Sequence, residues 1–214
     1  MTKKSNESRT DGEATRLRIL ETAGELFAAG GFAETPNKAI AATANVDLAS
    51  INYHFGSRNG LYQAVLIEAH RRLISLSELR ELAENGFSAS EKLRKLIEHL
   101  VSQASEIKGW HARVLSREVL SATSNLEVLL QKEVLPKILI IKQILSDISG
   151  IPIEAPALNR CLISVAAPCA MLIIIGRGVP GPIRDVRQMT QSTLIDHLHT
   201  FALAGLEAIG RDQS

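Results

Sequence analysis

The chain has 214 residues, 45% of them apolar but only 4% aromatic, and a formal net charge of +1. That length accommodates one large domain or a small one joined to a larger one, and an apolar set dominated by Leu, Ile and Ala favours helices packed on helices over a sheet core. The nearly neutral balance leaves no compositional footprint of nucleic-acid binding, so any such contact must come from local placement.

The two cysteines, Cys161 and Cys169, lie in an apolar stretch without CxxC spacing or neighbouring histidines. This pattern fits reduced, buried thiols rather than a disulfide or a zinc site, and neither metal nor cofactor is expected. The polar start, MTKKSNESRTDGEA, lacks the apolar core of a signal peptide, and the run ending at Ile173, Ile174 and Ile175 is interrupted by Arg160, Ser164 and Pro168. Export and membrane spanning are therefore not expected, which leaves the cytoplasm.

In chain order, residues 1 to 12 offer nothing to bury and read as a disordered arm. A first helix follows from about Ala14 to Ala29, with Leu17, Leu20, Ala23, Leu26 and Phe27 at helical spacing and Gly30-Gly31 as a positive-φ stop. Thr35 is expected to cap a second helix that has Pro36 at its first position and runs roughly from Asn37 to Ala44. Asn45-Val46-Asp47 then forms a turn, with Asp47 capping a third helix from Leu48 to near Phe55. Ser57 caps a long fourth helix carrying Leu61, Val65, Leu66, Ala69 and Leu73. Beyond Asn85-Gly86, helices are predicted over about 89 to 107, 110 to 122, 125 to 148, 155 to 175 and 185 to 209, separated by Gly109, Ser124, Gly150-Ile151-Pro152 and the segment Gly176 to Pro182. The expected architecture is all-α: the arm, a three-helix helix-turn-helix domain over 13 to 62, and a C-terminal helical bundle for regulation and dimerisation over 63 to 210.

The segment from Asn37 to His54 fits helix-turn-helix packing, with Ala41 as the small residue at the crossing and Ile40, Ala44, Val46 and Ile51 closing a miniature core. The other positions of the third helix are small or hydrogen-bonding where a core helix would carry Leu or Ile. Asn52 can read an adenine edge, Ser50 can bond a base or phosphate, and Ala49 permits close approach or meets a thymine methyl. Tyr53, His54 and Thr35 are placed for phosphate oxygens, and Asn37, Lys38 and Arg58 flank the surface. Between Thr35 and Tyr62 the cations Lys38 and Arg58 stand against Asp47, so binding by one copy should be weak and a dimer is required.

The stretch TRLRILETAGELFAAGGFAETPNKAIAATANVDLASINYHFGSRNGLYQAVL resembles the N-terminal domain of the TetR family of bacterial regulators over residues 15 to 66, most specifically at Tyr53 to Phe55, Ser57, Arg58 and Leu61. INYHFGSRNGLYQAVL, with Trp110 and Arg117-Glu118, is similar to the CecR-like subgroup. The resemblance implies Ala49, Ser50 and Asn52 at bases, and Thr35, Tyr53, His54 and Arg58 on the DNA backbone. Where the family turn reads Ala-Gly-Val-Ser, this chain has Ala44-Asn45-Val46-Asp47, and Pro36-Asn37 replace the hydroxyl and apolar residues that precede the helix 2 cation.

The most apolar helices come last, with Leu158, Cys161, Leu162, Val165, Cys169 and Leu172 on one and Leu194, Leu198, Phe201 and Leu206 on the other. Their excess apolar surface is expected to form a two-fold four-helix interface, with Leu198 in it. The family resemblance implies a small-molecule effector, for which the polar residues within the helices, His99, Trp110, His111, Arg113, Arg117 and Arg160, are the candidates. Arg113, Arg117 and Glu118 can also simply pair in water. The expected function is a ligand-responsive repressor that binds a palindromic operator as a homodimer. A transcriptional activator or a helical adaptor is the alternative. An enzyme is disfavoured because the chain has no Gly-rich phosphate loop, HExxH or GxSxG.

Overall fold

A computed structural model describes residues 3–106, 109–174 and 180–213; among these there are helices and connecting turns and no strands. Ile175 and the breaker residues Gly176 to Val179, together with Ile107, lie outside the described residues. The chain divides into two units, residues 1–72 with 109–132, and residues 73–108 with 133–214. The middle of the chain therefore returns to the N-terminal unit, whereas the sequence placed everything after residue 62 in the second domain.

In the first unit, α1 (Lys3–Glu34) is broken at Gly31, whose φ of 80° is the positive-φ stop expected there. Upstream, the helix reaches Lys3 instead of beginning near Ala14 after a disordered arm. Once the packed turns from Ile19 onward have nucleated it, each added residue gains a hydrogen bond at little cost. Ile19, Leu20, Ala23, Phe27 and Ala28 are buried, while Leu17, expected in the stripe, is exposed. The second helix, α2 (Asn37–Thr43), and the third, α3 (Leu48–Phe55), are followed by α4 (Arg58–Leu73), whose Leu61, Tyr62, Val65, Leu66 and Ala69 are buried. Ser57 Oγ accepts from the Gly60 amide at 3.0 Å, the expected cap of α4. Phe27, Phe32 and Tyr62 pack in tilted and edge-to-face pairs with ring centroids 4.7 to 6.0 Å apart.

Two later helices, α7 (Trp110–Leu120) and α8 (Asn125–Leu129), complete this unit. Packing of α7 on α1 is close enough that a Cβ at Gly24 would lie 2.3 Å from the Trp110 ring, so only glycine fits that crossing.

The second unit contains α5 (Leu76–Glu84), α6 (Ala89–Glu106), α9 (Leu135–Ser149), α10 (Pro156–Ile174), α11 (Pro182–Gln188) and α12 (Gln191–Gln213). Its core gathers Leu93 and Ile97 of α6, Ile144 and Leu145 of α9, Leu158, Cys161 and Cys169 of α10, and Leu206 of α12. Both cysteines are free and buried, and burial pushes the Cys169 thiol up to about 11. By length and composition α10 could cross a membrane, with a mean hydropathy of 1.8. Its inner face nonetheless lies in this core.

Three boundaries differ from expectation. A stop at Ile74 separates α4 from α5, where Ser75 and Glu78 cap each other's backbone amides. A π turn, Leu130–Val134, interrupts the long segment predicted over 125 to 148 and sets buried Glu133 against buried Lys137 at 3.2 Å. The last predicted helix divides at Met189, and Thr190 Oγ1 caps α12 by accepting from the Thr193 amide.

Candidate nucleic-acid interface and effector cavity

The turn between α2 and α3 follows from three local interactions. Asn45 adopts a left-handed φ of 51°, the Val46 amide donates to the Ala41 carbonyl at 3.0 Å, and Asp47 accepts from the Ser50 amide at 2.6 Å. Ile40, Ala41, Ala44 and Ile51 are buried as the miniature core, with Val46 half-buried beside them. The Ser50 hydroxyl also donates to Asp47 at 2.6 Å, and these bonds, the hydroxyl first, hold the Asp47 carboxyl below its ordinary value. With its proton committed, Ser50 is left to accept from a ligand.

Opposite the buried Ile51, Leu48, Ala49, Asn52 and Tyr53 are exposed on one face of α3, at the i, i+1, i+4 and i+5 positions of a helix. Tyr53 is 85% exposed, and its ring meets His54 edge-on at 5.0 Å. Lys38 is exposed at the start of α2, next to a half-buried Asn37 whose Oδ1 has no hydrogen-bond partner among the described residues.

Two expected contacts are committed elsewhere. Thr35 does not cap α2, because Pro36 occupies the N-cap position. The break at Gly31 leaves carbonyls to be satisfied, so the buried Thr35 hydroxyl turns back and donates to Gly31 O at 2.8 Å. Arg58 serves the same loop, donating to the carbonyls of Thr35, Phe32 and Ala33 and lying over the Phe32 ring at 4.4 Å. The sequence reading missed two residues: Leu48, 48% exposed on the first turn of α3, and Arg16, an exposed cation 5.3 Å from the Phe55 ring centroid. Arg16 was legible as part of the family-like stretch, and Leu48 as an apolar side chain outside the miniature core.

The six proposed effector residues divide between the two units. Trp110, His111, Arg113 and Arg117 belong to the first unit. Trp110 Nε1 donates to Glu21 at 2.9 Å, and Arg113 and Arg117 donate to the Ala28 carbonyl, Arg117 also to Ala29, capping the helical run of α1 ahead of Gly31. Arg72 donates to Glu68 and Glu21 and to His111 Nε2, which places the His111 proton on Nδ1. In the second unit, His99 Nε2 donates to the Leu73 carbonyl at 2.6 Å, and Arg160 is exposed on α10. Glu118 does not pair with arginines in water. It is 1% exposed and accepts from Tyr62 Oη at 2.8 Å and from the Thr123 amide and hydroxyl at 2.9 and 2.8 Å. Burial and that bond raise the Tyr62 phenol above its ordinary range.

A cavity of about 450 Å³ does exist in the second unit, but none of these six residues lines it. Arg184, Arg187 and Gln188 of α11 line it together with Leu172, Met189 and Leu194. A sequence signal was present: two arginines three residues apart in a short helix between Gly181-Pro182 and Thr190.

A capped turn between two short crossing helices, with a polar and exposed outer face on the second, defines a helix-turn-helix protein built entirely of helices among its described residues. Residues 19–65 match the bacterial regulatory proteins of the tetR family, and residues 89–206 match the C-terminal domain of the HTH-type transcriptional dual regulator CecR. The chain belongs to the TetR family of regulators. It is 30% identical over 106 residues to the HTH-type transcriptional regulator UidR of Escherichia coli K12, a match covering 50% of this chain and 51% of UidR. The chain thus spans about half the length of the curated relatives it matches.

Its fold is similar to a putative transcriptional regulator of Pseudomonas aeruginosa PAO1, with a TM-score of 0.72, 16% identity and 94% of each chain covered. It is also similar to the transcriptional regulator FadR of Bacillus subtilis, solved in complex with stearoyl-CoA. That likeness has a TM-score of 0.68 and 16% identity, and covers 88% of this chain and 98% of the other.

Proposed function

We propose that the chain is a ligand-responsive transcriptional repressor that binds a palindromic operator as a homodimer. The exposed face of α3 carries this reading. Leu48, Ala49, Asn52 and Tyr53 project from a helix whose one buried residue is Ile51, the presentation a major groove requires. In this reading Ala49 and Asn52 meet base edges, Ser50 accepts from a base amino group, and Tyr53, His54, Asn37 and Lys38 contact the backbone. Arg58 and Thr35 shape the loop, and Arg16 adds a cation.

Dimerisation is supported by the outer faces of α10 and α12, where Ile163 is 66% and Phe201 70% exposed. A shallow apolar groove runs beside Phe201, Val165 and Ile209. Leu198, expected in the interface, is half-buried against the core of its own unit, so Phe201 is the better probe. Phe201→Glu should convert dimer to monomer in light scattering and weaken operator binding. Response to a small molecule is supported by family membership and by the stearoyl-CoA complex of B. subtilis FadR.

Selection on random DNA at stated salt tests the central claim. The expected result is an inverted repeat whose retention Tyr53→Ala lowers for every sequence. Recovery of no preferred sequence would overturn it.

A further inference from the structure

The hydrogen-bonding sense of Ser50 on α3 is set by a neighbour. A serine hydroxyl can donate its one proton or accept on its lone pairs, so by itself it meets the amino and the keto groups of bases alike. Elsewhere in the chain Ser116, Ser149 and Ser164 spend that proton on the carbonyl four residues back, at 2.6 to 3.0 Å. Ser50 instead gives it to a charge. Its hydroxyl and its amide both donate to Oδ1 of Asp47, each at 2.6 Å. The acceptor is an ionised carboxylate, held below its ordinary value by these same two bonds, the hydroxyl first. Charge-assisted bonds are about twice as strong as neutral ones, so the hydroxyl resists turning round to donate elsewhere. Ser50 is half-buried at the edge of the outward face of α3, beside exposed Ala49 and one turn before exposed Tyr53.

In the major groove the adenine N6 and cytosine N4 amino groups donate, whereas guanine O6 and thymine O4 accept. An oxygen confined to accepting attracts the first pair of groups and repels the second. Reversing a base pair exchanges amino for keto on the strand that faces the helix. We propose that Asp47 is a positioning residue for base reading: by holding the Ser50 proton it fixes Ser50 as an acceptor, which selects the orientation of one base pair in each half-site. This role rests on the operator-binding reading above and gives a second task to the residue that caps α3. It needs no contact between Asp47 and DNA. Serine, which stands at this place in the family turn, also caps a helix well but would hold the Ser50 proton without a charge.

The test is equilibrium binding of the full chain to the operator recovered by selection, at stated salt. Ser50→Ala should flatten one position of each half-site and so identify the base pair concerned. Reversing that pair should weaken binding of the parent about tenfold, the ordinary cost of a mismatched position. Deleting only the amino group, with purine for adenine or pyrimidin-2-one for cytosine, should weaken the parent more than Ser50→Ala on the same duplexes. In Asp47→Ser the hydroxyl is free to donate to a keto oxygen, and the reversal penalty should fall to about twofold. Asp47→Asn, neutral and of the same size, should lower it too and serves if Asp47→Ser melts early. Ser50→Thr keeps the hydroxyl and should keep the penalty. A cap with no further role would weaken both orientations alike and leave their ratio unchanged. An undiminished reversal penalty in both Asp47 variants, no flattened position in Ser50→Ala, or an equal loss on amino deletion in parent and Ser50→Ala would each overturn this role. A chain that selects an operator with these ratios unaltered refutes the assignment of Asp47 alone, whereas one that selects no operator refutes the regulator reading and this role with it.

Discussion

Replacing Glu118 tests how the first unit is held together. Its carboxylate ties α7 to Tyr62 of α4, and Thr123 extends the chain to Asn125, whose Oδ1 accepts from Gln63 at 3.0 Å. Glu118→Ala removes the acceptor of three bonds. Tyr62 is 2% exposed, so its hydroxyl is stranded at about 1 to 3 kcal/mol, and the two half-buried Thr123 donors lose roughly 1 kcal/mol each. The expected loss is about 3 to 5 kcal/mol, a fall in Tm of roughly 10 °C for a chain of this size. Glu118→Gln preserves shape and one acceptor oxygen and should cost only about 1 to 2 kcal/mol, while pairing it with Tyr62→Phe should be less than additive. Urea unfolding followed by Trp110 fluorescence reports on this unit directly, since Trp110 begins α7. A Glu118→Ala variant within about 1 kcal/mol of the parent would refute the view that this carboxylate anchors α4.

Gly24→Ala should gain about 1 kcal/mol of helix propensity but lose more to collision with the Trp110 ring, so its Tm should fall; a rise would refute that packing. Burial first, and then the Arg72 charge, hold the His111 imidazole below its ordinary 6.5. Neutral His111 therefore contributes stability that is complete above about 6.5 and is lost as pH falls through its lowered value, because the unfolded chain takes up that proton more readily. His111→Gln should flatten the decline in Tm between pH 7 and 5, and an unchanged slope would exclude His111 as the source. Leu48→Lys should erase a thymine preference at one position of each half-site while leaving the dimer intact, and an unaltered selection logo would remove Leu48 from the groove.

The sequence by itself determined what depends on neighbours in the chain. Caps and turn residues are local chemistry, so Asn45, Asp47, Ser57 and the Gly31 stop could be read directly, and the buried set Ile40, Ala41, Ala44 and Ile51 followed from helical spacing. Even Ser75-Glu78, passed over within an apparently continuous fourth helix, was a local signal. Only the tertiary structure decided which long polar side chains had partners. Arg58, Arg117 and Thr35 look in sequence like solvent or ligand groups, yet they meet carbonyls freed by the break at Gly31, 4 to 89 residues away in the chain. Glu118 meets Tyr62 across 56 residues, and the cavity arises where α6, α10, α11 and α12 converge. Periodicity records which face of a helix is apolar, but it carries no information about which distant donor or acceptor that helix will bring to a buried charge.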